Sequence, residues 1–121
     1  MTKSALLSVS PIFQVANLQR GIDFYTKVMG FELGWTWGTP PDRASLCRDS
    51  VEITLEVAAR PRTSHVYVQV QGVDEYFAKV IAAGAQGVYP LADRPYGMRD
   101  GRVADPDGNH IALGEALQES H

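Results

Sequence analysis

Apolar residues at Leu18, Ile22, Tyr25 and Met29 recur at the spacing of one helical face. Asn17 stands where an N-cap belongs, and Gly30 where a left-handed C′ residue belongs. Just before the helix, Phe13-Gln14-Val15 alternates as a strand does. The same order returns later in the chain. Val68-Gln69-Val70 leads to Val73, Phe77 and Val80 and ends at Gly84. After each helix the period shortens to that of strands. Phe31 to Trp37 closes on Gly38-Thr39-Pro40-Pro41, and Ala44 to Arg48 with Val51 to Val57 form a hairpin at Asp49-Ser50. In the second half Gln86 to Leu91 is a strand that Pro90 assigns to an edge or a strand end. A loop with Pro95 and Gly97 follows. Gly101 to Ala104 and Asn109 to Gly114 then make a hairpin over Asp105-Pro106-Asp107-Gly108, with proline and glycine where turn chemistry favours them. Each half therefore reads βαβββ. The expected fold is α+β: one domain, 1–121, of two tandem modules. They span about 8–57 and 64–116, with a linker at 58–63 and a tail at 117–121.

A strand covered by a helix buries every second side chain, so the pattern assigns faces. Val66, Val68 and Val70 turn to the helix, leaving His65, Tyr67 and Gln69 opposite. Pro11, Phe13 and Val15 oppose Ser10, Ile12 and Gln14. Val51, Ile53, Leu55 and Val57 oppose Glu52, Thr54 and Glu56. Ile111 and Leu113 oppose His110, Ala112 and Gly114, and Trp35 and Trp37 share a face. The helix-free faces thus gather bulky polar and aromatic side chains. Such a mixture either meets water or, where two sheets curl toward each other, lines a small-molecule cleft.

Composition narrows the function classes. A chain of 121 residues that is 45% hydrophobic builds an ordinary folded domain, not a disordered or collagen-like one. Eleven basic against 14 acidic residues, with no two basic residues adjacent, argue against a nucleic-acid partner. The single Cys47 excludes an internal disulfide and a multi-cysteine zinc site, and reads as a small strand side chain. No apolar run is long enough to span a bilayer, and the first ten residues lack a signal-peptide core. A cytoplasmic protein without a membrane partner is expected. Phosphate-loop, dinucleotide and nucleophile-elbow motifs are absent from the sequence. Asp49, Asp100, Asp105 and Asp107 read as turn formers.

At this level of detail the chain resembles the vicinal oxygen chelate superfamily, which holds glyoxalase I, bleomycin resistance proteins and extradiol dioxygenases. The likeness covers about residues 8 to 116. It rests on Gln14-Val15-Ala16-Asn17-Leu18, Ile22-Asp23-Phe24-Tyr25 and Met29-Gly30-Phe31, and on the closing Val103-Ala104-Asp105-Pro106-Asp107-Gly108-Asn109. The resemblance implies two βαβββ modules forming a cupped mixed sheet, usually completed in a homodimer. Metal-using members hold a divalent ion at four strand positions. Carried across by strand phase, these are Ser10, Thr54, His65 and Ala112. Only His65 is a good ligand, and such a site needs about three protein donors.

The likeness is stronger to the metal-free bleomycin resistance type. It extends over Arg48-Asp49-Ser50-Val51, Val70-Gln71-Gly72-Val73-Asp74-Glu75 and Arg94-Pro95-Tyr96-Gly97-Met98-Arg99. This implies binding and sequestration of a small molecule, a cationic aromatic antibiotic by family likeness, with no catalytic residue and no cofactor. The candidate ligand-binding residues are Trp35, Trp37, Glu52, Thr54, Glu56, His65, Tyr67, Gln69, Tyr96 and His110. The alternative is a metal-dependent lyase or dioxygenase. It would hold one divalent ion at a displaced site of His65 with Glu52 or Glu56, and His110 as a further donor.

Overall fold

The computed structural model describes residues 3–118. Strand β1 (Ile12–Val15) leads to helix α1 (Leu18–Asp23), which continues as a π-helical turn over Phe24–Val28. Strands β2 (Glu32–Trp37), β3 (Arg43–Arg48) and β4 (Val51–Val57) complete the first module. The second runs β5 (His65–Gln69), α2 (Val73–Ala82), β6 (Gln86–Asp93), β7 (Met98–Ala104) and β8 (His110–Ala116). The sheets have matching orders, β1-β4-β3-β2 and β5-β8-β7-β6. In each, the strand preceding the helix pairs in parallel with the module's last strand, and the other pairings are antiparallel. The repeat read from the sequence is thus a repeat of topology.

Asn17 caps α1 as expected: its side chain accepts from the Arg20 N–H at 2.9 Å. Asn17→Ala should cost about 1 kcal/mol, read as a lower denaturation midpoint. The helix itself departs from the regular period that its apolar spacing predicts. The Met29 N–H donates to the Phe24 carbonyl, the wider i to i−5 closure. That turn accommodates two adjacent buried rings, Phe24 and Tyr25, packed edge to face with centroids 5.0 Å apart. The spacing of apolar residues carries no signal for it. Two strands also have longer spans than expected. β7 begins at Met98, three residues before Gly101, and β6 continues to Asp93. β6 is an edge strand, which accommodates Pro90. Of the expected tail, Leu117 is tied by its N–H to the Gly97 carbonyl at 2.9 Å, and 119–121 lie outside the described residues.

The buried apolar side chains of both modules form one cluster, from Phe13, Tyr25, Leu46, Ile53 and Leu55 to Val73, Val80, Val103, Ile111 and Leu113. The closing turn, Asp105 to Asn109, joins the modules. Asp105 accepts from the buried Tyr25 hydroxyl at 2.9 Å, from the N–H groups of Asp107 and Asn109, and from the Asn109 amide. The Asn109 amide also donates to the Gln14 carbonyl. Asp107 accepts from the Ala16 N–H and from Arg20. The turn reading of these aspartates is right but incomplete, because their carboxylates also reach across to the first module. On the other side of the pseudo-repeat, the Tyr76 hydroxyl donates to the Met29 carbonyl and the Arg48 guanidinium lies over the Tyr76 ring.

Candidate ligand-binding faces

Strand register turns the alternation of residues into rows across each helix-free face. On the second sheet one row runs Tyr67, Ala112, Arg102, Tyr89. The next runs Gln69, Gly114, Asp100, Ala92, and a third runs His65, His110, Ala104, Gln86. On the first sheet the rows are Ile12, Thr54, Ser45, Trp35, then Gln14, Glu56, Arg43, Trp37. Glu52, Cys47 and Glu32 form the row beyond.

The second face is organised around Asp100, which is only 6% exposed. Its Oδ2 accepts from the hydroxyls of Tyr67 at 2.8 Å and Tyr96 at 2.6 Å. Its Oδ1 accepts from Arg94 Nε at 3.0 Å, and Arg94 Nη2 also reaches the carbonyls of Pro90 and Asp100. Burial alone would raise the carboxyl's pKa. The bonds from Tyr96, Tyr67 and Arg94 outweigh it and hold the group below the ordinary carboxylate value. The same contact works the other way on Tyr67. Desolvation, then the bond to Asp100, pushes its phenol up to about 12. Tyr67 reaches Asp100 by lying across Gly114, where a Cβ would overlap its hydroxyl. Around this centre Tyr67, Tyr89, Tyr96, Arg102 and Ala112 line a cavity of about 450 Å³.

The first face is quieter. Glu52 accepts from the buried Ser45 hydroxyl at 2.5 Å and from the Cys47 thiol at 3.8 Å. Glu56 pairs with Arg43 at 3.2 Å. The Ser10 and Thr54 hydroxyls bond each other at 2.9 Å. Trp35 and Trp37 flank these groups with their rings 46% and 65% exposed.

Ser10 and Thr54 lie on one face; His65 and Ala112 lie on the other, in adjacent rows. No hydrogen bond or ion pair among the described residues joins the two faces. The larger cavity, about 940 Å³, opens on the helix side and is lined by Met29, Phe31, Val51, Val70, Tyr76 and Leu113, among others. Within one chain the four positions are thus divided between the two sheets, two on each. The donor set does not fit a divalent ion. It comprises one imidazole, two hydroxyls bonded to each other and a methyl group. For the displaced alternative, Glu52 and Glu56 stand on the first sheet, bonded to Ser45, Cys47 and Arg43, and His65 stands on the second. Among the described residues no group of three or more His, Cys, Asp or Glu could hold a metal ion.

Asp100, Arg94, Arg102 and Tyr89 escaped the sequence reading. Asp100, expected in a turn, sits in β7. The signal was available. Extending the alternation of β7 back from Ala104 places Arg102 and Asp100 on the face of Tyr67.

A family model described as "Glyoxalase/Bleomycin resistance protein/Dioxygenase superfamily" matches residues 8–113. An uncharacterised protein of Mycobacterium bovis is 30% identical, over 93% of this chain and 85% of its own length. The Mycobacterium tuberculosis H37Rv relative, also uncharacterised, is 30% identical, over 93% and 76%. Among solved structures, TioX from Micromonospora sp. ML1 superposes with a TM-score of 0.82 at 25% identity, covering 92% of this chain and 99% of that one. A glyoxalase/bleomycin resistance protein/dioxygenase from Nocardioides gives 0.77 at 20% identity, covering 98% and 89%. No helix among the described residues is long and apolar enough to cross a membrane.

Proposed function

Because the chain belongs to the glyoxalase/bleomycin resistance protein/dioxygenase superfamily, we propose that it binds and sequesters a small aromatic molecule without a metal ion. The ligand groove in this reading is completed by a second copy of the chain. One observation carries it: five aromatic rings, Trp35, Trp37, Tyr67, Tyr89 and Tyr96, are 43 to 65% exposed on or beside the helix-free faces. Monomeric proteins rarely leave such a concentration of apolar surface uncovered unless it binds something. Aromatic walls with a few fixed polar groups suit a planar ligand. In this reading each face is one wall of the groove, and the second subunit brings up the opposite wall. Leu6, Leu7 and Val9, whose side chains are almost fully exposed, are further apolar surface for that subunit to cover. The carboxylates of Glu32, Glu52 and Glu56 outnumber Arg43 on the first face and would draw the cationic end of a ligand.

Calorimetric titration with bleomycin tests this reading, with sedimentation velocity on the same sample. Expected are a dimer and saturable binding with a Kd below about 1 mM, a threshold equivalent to about −4.1 kcal/mol. A monomer, or no binding of bleomycin and no binding of smaller aromatic ligands, would overturn it. A lyase or dioxygenase with a displaced metal would instead copurify with one divalent ion per subunit that His65→Ala releases.

A further inference from the structure

We propose that the tyrosine-lined cavity on the second face selects flat aromatic ligands that carry a carboxylate, and that Arg102 is the residue that reads the charge. This deepens the binding reading above and rests on it.

Few polar groups in the cavity are free to meet a ligand. Asp100 is not among them, with its oxygens taken by Tyr67, Tyr96 and Arg94. Arg94 is spent in turn on Asp100 and on the Pro90 carbonyl. The pair is internally neutral. Because the Tyr67 and Tyr96 hydroxyls are turned into Asp100, both side chains offer the cavity ring surface and not a donor. Arg102 differs. Its guanidinium lies over the Tyr89 ring, 5.3 Å from the centroid, and no carboxylate stands within 4.0 Å of it among the described residues. A guanidinium over a ring face keeps N–H groups that can take a carboxylate in two parallel hydrogen bonds. The neighbouring row position is Ala112, whose methyl leaves depth between Tyr67 and Arg102. At about 450 Å³ the cavity lies within the range of small-molecule sites. Its one uncompensated charge is positive, its walls are aromatic, and its floor is small. A ring slides between the tyrosines while its carboxylate meets Arg102.

A ligand spanning both faces would then carry a cationic end toward Glu52 and Glu56 and an anionic, ring-bearing end toward Arg102.

The test uses 2-naphthoate and its neutral isostere 2-naphthamide, titrated calorimetrically into the wild-type protein, Arg102→Gln and Arg102→Lys. The expected result is that naphthoate binds at least about tenfold more tightly than naphthamide. That preference should disappear in Arg102→Gln, with naphthamide affinity unchanged, and return in part in Arg102→Lys. Raising the salt concentration should weaken naphthoate binding alone. Equal affinity for the two probes, or a preference that survives Arg102→Gln, would overturn charge selection while leaving the binding reading intact. If neither probe nor bleomycin binds, both fall together.

Discussion

Asp105→Ala should destabilise the protein by about 3–5 kcal/mol, the largest loss expected from any single side chain outside the apolar core. Asp105 is 3% exposed and accepts from four donors, three of them belonging to the turn itself and one to Tyr25 of the first module. Its removal leaves the buried Tyr25 hydroxyl and the Asn109 groups without their acceptor, and water cannot easily replace it. Tyr25→Phe is the informative contrast. It deletes the cross-module bond yet leaves Asp105 with its other donors, so about 1 kcal/mol is expected. Chemical denaturation followed by far-ultraviolet circular dichroism measures both. An Asp105→Ala protein within 1 kcal/mol of wild type would show that the turn is held by its backbone alone.

Asp100→Asn should have the second largest effect, and a distinctive one. The amide cannot replace an ionised acceptor for two phenols and a guanidinium, so a loss of about 2–4 kcal/mol is expected. Its pH signature separates it from a simple packing defect. In the wild type the Asp100 carboxyl is held low, so its contribution is complete above the ordinary carboxylate range. It is lost as the pH falls through the depressed value. Tyr67 acts at the other end. With its phenol raised to about 12, the folded state keeps a proton that the unfolded chain gives up from about pH 10. That contribution is present below pH 10 and fades as the pH climbs toward 12. The variant should lose the acid flank and weaken the alkaline one, leaving the part due to desolvation, and ultraviolet titration should show a tyrosine ionising at lower pH than in the wild type. An unchanged tyrosine titration would mean that Asp100 does not set the Tyr67 phenol.

Most of the architecture was readable because it depends on periodicity and turn chemistry. Asn17, Gly30 and the Asp105–Gly108 turn punctuate the chain where the structure breaks, and Gly30 has the left-handed φ of +76° that its position requires. Strand parity also placed Glu52, Thr54, Glu56, His65, Tyr67 and His110 on helix-free faces, as the register has them. Alternation could not say how those faces are disposed in space, because that depends on contacts between modules. The decisive ones come from polar atoms on residues that pattern assigns to other tasks. Tyr25 reads as one more apolar position of a helix, yet its hydroxyl is what reaches Asp105. Asp100 reads as a turn residue because the alternation of β7 is interrupted by Gly101. That glycine is demanded from the helix side, where a Cβ would press on the Phe77 ring. The residues missed are those whose identity is set by a neighbour distant in sequence.

The clasp of Asp105, Asp107 and Asn109 on Gln14, Ala16, Arg20 and Tyr25 also fixes what the 58–63 linker is for. By making the association intramolecular, the peptide connection spares the translational and rotational entropy that two separate chains would lose, beside the buried polar bonds and the shared interior. Scission in that connection would leave the two halves still joined by those bonds and by the shared apolar cluster.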